Sequence, residues 1–298
     1  MSCRMTPELL TIRPFEYSTP GNLKEALSLI EKYGSETLLI AGGTDVIPLL
    51  RLRFLTPRRV VDLTRLSELD FIKQDGEILR VGALTKHRTL ERSPVILRGA
   101  PILAEAASQI GSPQIRNMGT MGGNLVNASP CSDTSTPLLA LGAQLKLLRS
   151  NGQRMVAIDD FFLDVKKTVI QHDEILTEVQ IPEAPPGTGT AFVKVGRRVG
   201  NDLSIVSVAA SITVQKGTCT GARIALGSVA PTPMRARKAE SVLVGKAMNA
   251  SYIKEAAEKA SQEIRPISDV RGSAEYRRSV ARTIVEIAIN KTSGKKSV

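Results

Sequence analysis

Ala41-Gly42-Gly43-Thr44-Asp45 follows an apolar, strand-like run, Thr37 to Ile40, and Gly119-Thr120-Met121-Gly122-Gly123-Asn124 stands where apolar sequence again gives way to a turn. Paired glycines lack Cβ, accept positive φ and admit a ligand against bare backbone, so consecutive N–H groups can converge on an anion such as a pyrophosphate. A plain tight turn is the simpler account of either pair taken alone. Their surroundings favour more. Asp45 is placed to cap a short helix leaving the first loop, with Pro48 in its first turn, where a missing N–H is no loss. The second loop carries hydroxyl, amide and carboxylate groups at Thr120, Asn124, Asn127, Ser129 and Asp133, more hydrogen-bonding capacity than a turn needs. The two loops read as one nucleotide site.

Outward from the loops the pattern is α+β. Phe15 to Tyr17, Thr37 to Ile40, Val60 to Leu63 and Ile78 to Val81 read as strands. Leu23, Ala26, Leu27 and Ile30 share a helical face, opened by Asn22 with Glu25 three residues on and closed by Gly34. Ala100 to Ile110 is a second amphipathic helix, leading through Ser112-Pro113 to the second loop. The loops therefore fall in separate α+β halves, as a dinucleotide in the cleft between them requires. After the Asn151-Gly152 turn, Asp159 to Phe162 reads as another turn. The Pro- and Gly-dense stretch from Pro182 to Gly189 marks a domain boundary. We expect one domain over 1–183 and a smaller one over 190–298, with strands at Thr190 to Val195, Ser207 to Val214 and Ala222 to Val229. Helices near Ala236 to Leu243, Ser251 to Ile264 and Ala274 to Ile289 follow, then a frayed end from Lys291.

The 298 residues carry 40 Lys and Arg against 29 Asp and Glu, a net charge of +11. That permits nucleic acid, an anionic cofactor or an acidic partner surface. The basic residues are scattered, aromatics are only 3%, and neither a zinc finger nor an RNP-like aromatic run is present, which argues against nucleic acid. Cys3, Cys131 and Cys219 lie far apart and form no CxxC pair or disulfide framework, which suits a reducing compartment. His87 and His172 are isolated, so metal ligation and a His-activated nucleophile lack a second half, and both read as surface or packing residues. The N-terminus has no apolar signal region and no run is long enough to span a bilayer, so a cytoplasmic protein is expected. Gly245-Lys246 lacks the remaining residues of a P-loop and reads as a helix C-cap.

Leu39 to Val46, Gln114-Ile115-Arg116-Asn117, Thr120 to Asn124 and Asp133 together resemble the FAD-binding medium subunit of the molybdenum hydroxylases, the family of the xanthine, carbon monoxide and nicotinate dehydrogenases. Ala191-Phe192-Val193-Lys194, Arg197-Arg198 and Asp269 to Arg278 extend the resemblance over nearly the whole chain. It implies a two-subdomain FAD-binding domain of the PCMH/vanillyl-alcohol-oxidase type followed by a smaller α+β domain. It also implies a heterotrimer. In such a complex a molybdopterin-binding large subunit oxidises the substrate, a small [2Fe-2S] subunit carries electrons, and this subunit passes them through FAD to an external acceptor, NAD, a quinone or oxygen. Relatives acting on hydroxybenzoyl-CoA carry an extra cluster here. That insertion needs several cysteines after the second loop, and Cys131 is the only cysteine between Asn124 and Asp133, which argues against that branch.

The resemblance implies FAD contacts from Leu39, Ile40, Ala41, Gly42, Gly43, Thr44, Asp45 and Val46, from Thr120, Met121, Gly122, Gly123 and Asn124, and from Asp133, which accepts from a sugar or ribityl hydroxyl. Ile110 and Leu176 are carried over as packing and Lys194 as a donor or cation, although Lys194 read alone is a strand lysine with a solvated head. The backbone N–H groups of Gly42, Gly43, Thr44, Gly122 and Gly123 are the expected pyrophosphate donors, with Thr120 and Asn124 adding side chains. Asp45 reads as a cap, not a ligand. Gly196 to Asp202 is charged and flexible enough to cover the flavin edge. No catalytic side chain and no metal ligand is required, and no His or Tyr beside the loops suggests a covalent flavin link. Two other readings stay open: a stand-alone FAD-dependent oxidoreductase with its own substrate, and a basic binding protein whose glycine pairs are turns.

Overall fold

The computed structural model describes residues 11–198 and 200–293; Cys3, Val199 and residues 294–298 of the expected frayed end lie outside them. Three units follow one another. In the first, β1 (Glu16–Ser18), β2 (Thr37–Ile40) and β3 (Arg59–Asp62) form a parallel sheet in the order β1-β3-β2, with Val60 opposite both Tyr17 and Leu38. The helix α1 (Leu23–Tyr33) crosses between β1 and β2 and buries Ala26, Leu27 and Ile30. Asn22 Oδ1 accepts from the Glu25 N–H, the Glu25 carboxylate accepts from the Gly21 N–H and the Glu68 carboxylate accepts from the Leu23 N–H, which satisfies donors at this helix start. Gly34 ends it at φ +52.

The short helix α2 (Val46–Arg51) returns from the first loop to β3. The second unit is an antiparallel sheet. Its strands are β4 (Ile72–Asp75), β5 (Ile78–Gly82), β6 (Gln144–Arg149), β7 (Gly152–Ala157) and, beyond the hairpin β8 (Phe162–Asp164) and β9 (Lys167–Thr168), β10 (Ile175–Pro182). The order is β4-β5-β10-β6-β7, which makes β10 central. No strand was expected at β10. Its interior Glu178 weakens an apolar reading, and that charge is neutralised only in the fold, by the two-pronged ion pair with Arg80 at 2.6 and 2.7 Å. Between β5 and β6 run α3 (His87–Arg92), α4 (Pro94–Gly99), α5 (Pro101–Ser108), α6 (Pro113–Met118), α7 (Met121–Val126) and α8 (Ser135–Leu141). Ile102, Leu103, Ala106 and Ala107 of α5 are all fully buried or nearly so, as their spacing requires.

The third unit is the antiparallel sheet of β11 (Thr188–Val195), β12 (Val206–Gln215), β13 (Thr218–Gly227) and β14 (Met234–Arg235), followed by α9 (Arg237–Leu243), α10 (Ala250–Glu263) and α11 (Ala274–Thr292). Gly245, at φ +79, terminates the turn after α9. The middle strands of this sheet are covered on both faces. Val208, Ala210, Ile212, Ile224 and Leu226 point into one core with Ala256, Ala260, Val285 and Ala288, while Phe192, Ala209 and Ala225 point into the core of the second unit with Leu103, Leu138 and Leu141. Period-2 alternation thus sends apolar residues to both sides and produces a continuous apolar run. Asp159, read as part of a turn, stands at this junction and accepts from Arg223, Arg235 and Arg237 of the third unit.

Candidate functional site

A cavity of ≈ 690 Å³ lies between the first and second units and takes both glycine loops into its wall. Leu39, Ile40, Ala41, Gly42, Gly43, Thr44, Asp45 and Val46 line it from one side, and Thr120, Gly122, Gly123, Asn124 and Asp133 from the other, with Ile110 and Leu176 between them. Met121 and Lys194 are not in the lining. Met121 is fully buried in the second unit's core, because the first turn of α7 rotates it away from the cavity.

The loops touch directly. A Cβ on Gly42 would stand 2.6 Å from the Met118 carbonyl carbon and 2.9 Å from Gly119 Cα, both fixed backbone. One on Gly122 would stand 2.8 Å from Ala83 Cβ, so this glycine lets α7 lie against the residue following β5. Only Gly43, at φ +69, needs left-handed backbone; neither Gly122 nor Gly123 does, since both sit in the first turn of α7.

Hydrogen-bond accounting changes which amides are available. Thr120 is the N-cap of α7 and its Oγ1 accepts from the Gly123 N–H at 3.1 Å. The Gly122 N–H donates to the Ala83 carbonyl at 2.8 Å and that of Met121 to Thr85 at 2.9 Å. Gly122 and Gly123 therefore have no free N–H to offer the pyrophosphate as expected of them, because docking α7 onto the sheet takes that of Gly122 and the Thr120 cap takes that of Gly123. Among the described residues, the N–H groups of Gly42, Gly43, Thr44, Asp45 and Val46 donate to no protein acceptor. Five successive unpaired amides, all from the first loop, make a concavity whose geometry suits an anion. Asp45 occupies the N-cap of α2 but its side chain makes no capping bond, its αR backbone holding the carboxylate off the helix end.

Asp133 and Lys194 form an ion pair at 2.6 Å, and Lys194 Nζ also donates to the Gln109 carbonyl at 3.0 Å. The lysine side chain is 7% exposed, so its head is not solvated. It acts on the cavity through Asp133. Burial pushes the Asp133 carboxyl up to about 6 despite the opposing pull of Lys194. Its Oδ1 is buried without a hydrogen-bond partner among the described residues. Asn124 Oδ1 accepts from Ser132 at 2.6 Å and Thr134 at 2.5 Å, which braces the loop carrying Asp133. Its amide oxygen is thereby committed.

Several lining residues escaped the sequence. His87 opens α3, lines the cavity and is 2% exposed, with burial and then Arg116 lowering it to about 4, so it is neutral at physiological pH. Its ring packs against Gly119. A histidine does stand at the site, therefore, brought there by the fold across a sequence gap that hid it; His172 is exposed. Lys166, at φ +60 in the β8–β9 hairpin, lines the cavity and donates to Asn127 at 2.7 Å. Asn201 and Asp202 reach the wall from the segment read as a covering loop, and Leu203 from the residue after it. The Asp202 carboxylate accepts from the Arg197 and Arg198 N–H groups and so folds that loop on itself. Arg116, 9% exposed, donates to the Ile110 carbonyl at 3.0 Å and to Glu91, which fixes the cavity wall from behind.

A dinucleotide flavin fits these groups. The amide run suits the pyrophosphate, the unpartnered Asp133 oxygen suits a hydroxyl, and Leu39, Ile40, Leu63, Leu84 and Ile175 offer apolar walls to a ring. Among the described residues no helix is long and apolar enough to cross a membrane. The chain matches the family model described as the FAD binding domain in molybdopterin dehydrogenase over residues 13–184, and that of the CO dehydrogenase flavoprotein C-terminal domain over 191–292. It is 36% identical over 276 residues to the carbon monoxide dehydrogenase medium chain of Hydrogenophaga pseudoflava, covering 93% of this chain and 96% of that one. To the xanthine dehydrogenase FAD-binding subunit of Escherichia coli O157:H7 it is 33% identical over 277 residues, covering 92% and 94%. Quinoline 2-oxidoreductase from Pseudomonas putida 86 superposes with a TM-score of 0.90 at 34% identity, over 95% of this chain and 98% of that one. With both family models matched in succession and relatives aligned over nine-tenths of its length, the chain belongs to the FAD-binding medium subunits of the molybdenum hydroxylases, a family of oxidoreductases.

Proposed function

We propose that this chain is the electron-transfer subunit of a cytoplasmic molybdenum-containing dehydrogenase, taking electrons from a small [2Fe-2S] subunit that serves a molybdopterin-binding large subunit and delivering them to an external acceptor. The observation that carries this is the pairing of five unpaired first-loop amides with a buried, half-satisfied Asp133 across one cavity. FAD, when bound, accepts electrons singly or in pairs and releases them either way. The residues of this chain hold and shield it. The amides of Gly42 to Val46 take the pyrophosphate charge, Asp133 accepts from a hydroxyl, and Ile110 and Leu176 exclude water from the ring. Residues 1–183 are the FAD-binding domain in this reading and residues 190–298 the C-terminal flavoprotein domain, which brings Asn201, Asp202 and Leu203 to the cavity wall.

Among the described lining residues His87 is buried and neutral, Cys131 is isolated and Asp133 is held by Lys194, which favours a subunit over a stand-alone flavoenzyme. FAD is held without a covalent link, the His87 ring being packed under Gly119. Co-expression with the two partner subunits, followed by acid precipitation, tests the reading. We expect one FAD per chain released into the supernatant, and substrate oxidation only by the assembled complex. Full-rate oxidation of a small substrate by the isolated chain would overturn it.

A further inference from the structure

Arg277 lies in the first turn of α11, far in sequence from either glycine loop, yet it is 3% exposed. Its Nη1 donates to the carbonyls of Ile205 at 2.6 Å and Ser228 at 3.0 Å, and its Nη2 to Asp269 at 2.7 Å. Each carbonyl leads to a different part of the cavity wall. Ile205 follows Asn201, Asp202 and Leu203, which line the cavity, and its own N–H is tied to Val195. Ser228 stands in left-handed backbone at φ +64, and its N–H donates to the Pro130 carbonyl at 2.8 Å. Pro130 opens the segment that carries Cys131 and Asp133. The Ser204 and Ser228 hydroxyls, 2.7 Å apart, link the two segments directly.

A guanidinium is costly to bury, and replacing a buried ion pair with packed apolar residues is often neutral or stabilising, so packing alone gives α11 no reason to keep one here. What an apolar side chain cannot do is hold two carbonyls from separate segments at a fixed separation. Arg116 and Lys194 brace the wall in a related way, each donating from outside the cavity to one carbonyl, Ile110 or Gln109, and to one carboxylate, Glu91 or Asp133.

We propose that Arg277 is a positioning residue for the flavin cavity, its guanidinium setting the loop of Asn201 to Leu203 and the loop of Asp133 against one another. The inference rests on the FAD reading of that cavity. Asp269, which also accepts from the Arg271 N–H and guanidinium, orients the strut from the surface side.

The test uses the full chain loaded with FAD, in three variants: Arg277→Met, Arg277→Lys and Ile284→Ala. Ile284 is a buried residue of the same helix that touches the far core, and its truncation serves as a purely structural loss. FAD release is followed by the rise in flavin fluorescence, the visible absorption band by spectrum, and folding by melting temperature. Both Arg277 variants should release FAD at least tenfold faster and shift the flavin band, because a lysine cannot span both carbonyls and Asp269. Ile284→Ala should lower the melting temperature with release rate and band unchanged. Should Arg277→Met fail to fold, Arg277→Lys carries the comparison. Arg277 variants that lower the melting temperature but keep the wild-type band and release rate would overturn the proposal. A wild-type chain that takes up no FAD would instead overturn the reading beneath it.

Discussion

The Asp133 carboxylate and the Lys194 ammonium stand 2.6 Å apart, with side chains 6% and 7% exposed, joining the second unit to the third at the cavity wall. The pair leaves one Asp133 oxygen unpartnered, and burial raises its carboxyl to about 6 from an ordinary 3.8. A ligand hydroxyl donating to that oxygen favours the ionised form and lowers this value on binding. FAD affinity should therefore be constant above the free-state value and fall as pH drops through about 6, by up to about tenfold per pH unit. Fluorescence titrations across that range check it. Asp133→Asn should flatten the profile, and Lys194→Met, which removes the cation that opposes burial, should move its midpoint upward. For the apo chain the sign is reversed: with the folded value raised, stability falls as pH rises from about 4 to 6 and is flat beyond.

Gly42→Ala should be severe for its size. The added methyl meets fixed backbone of Met118 and Gly119, so the loops must separate, at a cost of about 1–3 kcal/mol. Thermal melting and flavin content should both fall. Gly152→Ala, where nothing lies within 4 Å, should change neither; equal behaviour of the two variants would refute direct contact between the loops.

Gly43→Val tests the amide run. At φ +69 a β-branched residue costs about 1–2 kcal/mol, and relaxing that strain turns the N–H groups away from their common focus. FAD content should drop to near zero while circular dichroism keeps the native shape. Gly123→Ala should retain more flavin than Gly43→Val, since its N–H already bonds to Thr120 and its nearest neighbour is that side chain. The reverse order would return the donor role to the second loop.

Asp159→Asn should loosen the junction of the second and third units. Arg223, Arg235 and Arg237 converge on this carboxylate, and without it only Glu240 offsets the two most buried of them. The loss is about 3 kcal/mol, read as a drop in melting temperature of roughly 6–12 °C. High salt should recover part of it by screening like charges.

The local periodicities and turn chemistry of the chain determined much on their own. Asn22 and Glu25 specify the start of α1, and Gly34 its end, through bonds made within a few residues, so no distant partner was needed to read them. Both glycine loops were legible for the same reason, as were the apolar runs that became β11, β12 and β13. Long-range contacts decided the rest. Central strand β10 depends on Arg80 to neutralise Glu178, and that pairing spans most of the second unit. Gly122 and Gly123 look like Gly42 and Gly43 in sequence, yet their amides are taken, that of Gly123 by the local Thr120 cap and that of Gly122 by Ala83, an acceptor that only the packed sheet brings to α7. Lys194 alternates as a strand residue should, and only the placement of Asp133 and Gln109 beside it turns a solvent lysine into a buried one. His87 and Lys166 carry no local mark, and Arg277, although it lies in the matched stretch Asp269 to Arg278, shows no role there, since what each does is set by carbonyls and cavity walls that the chain assembles from segments far apart.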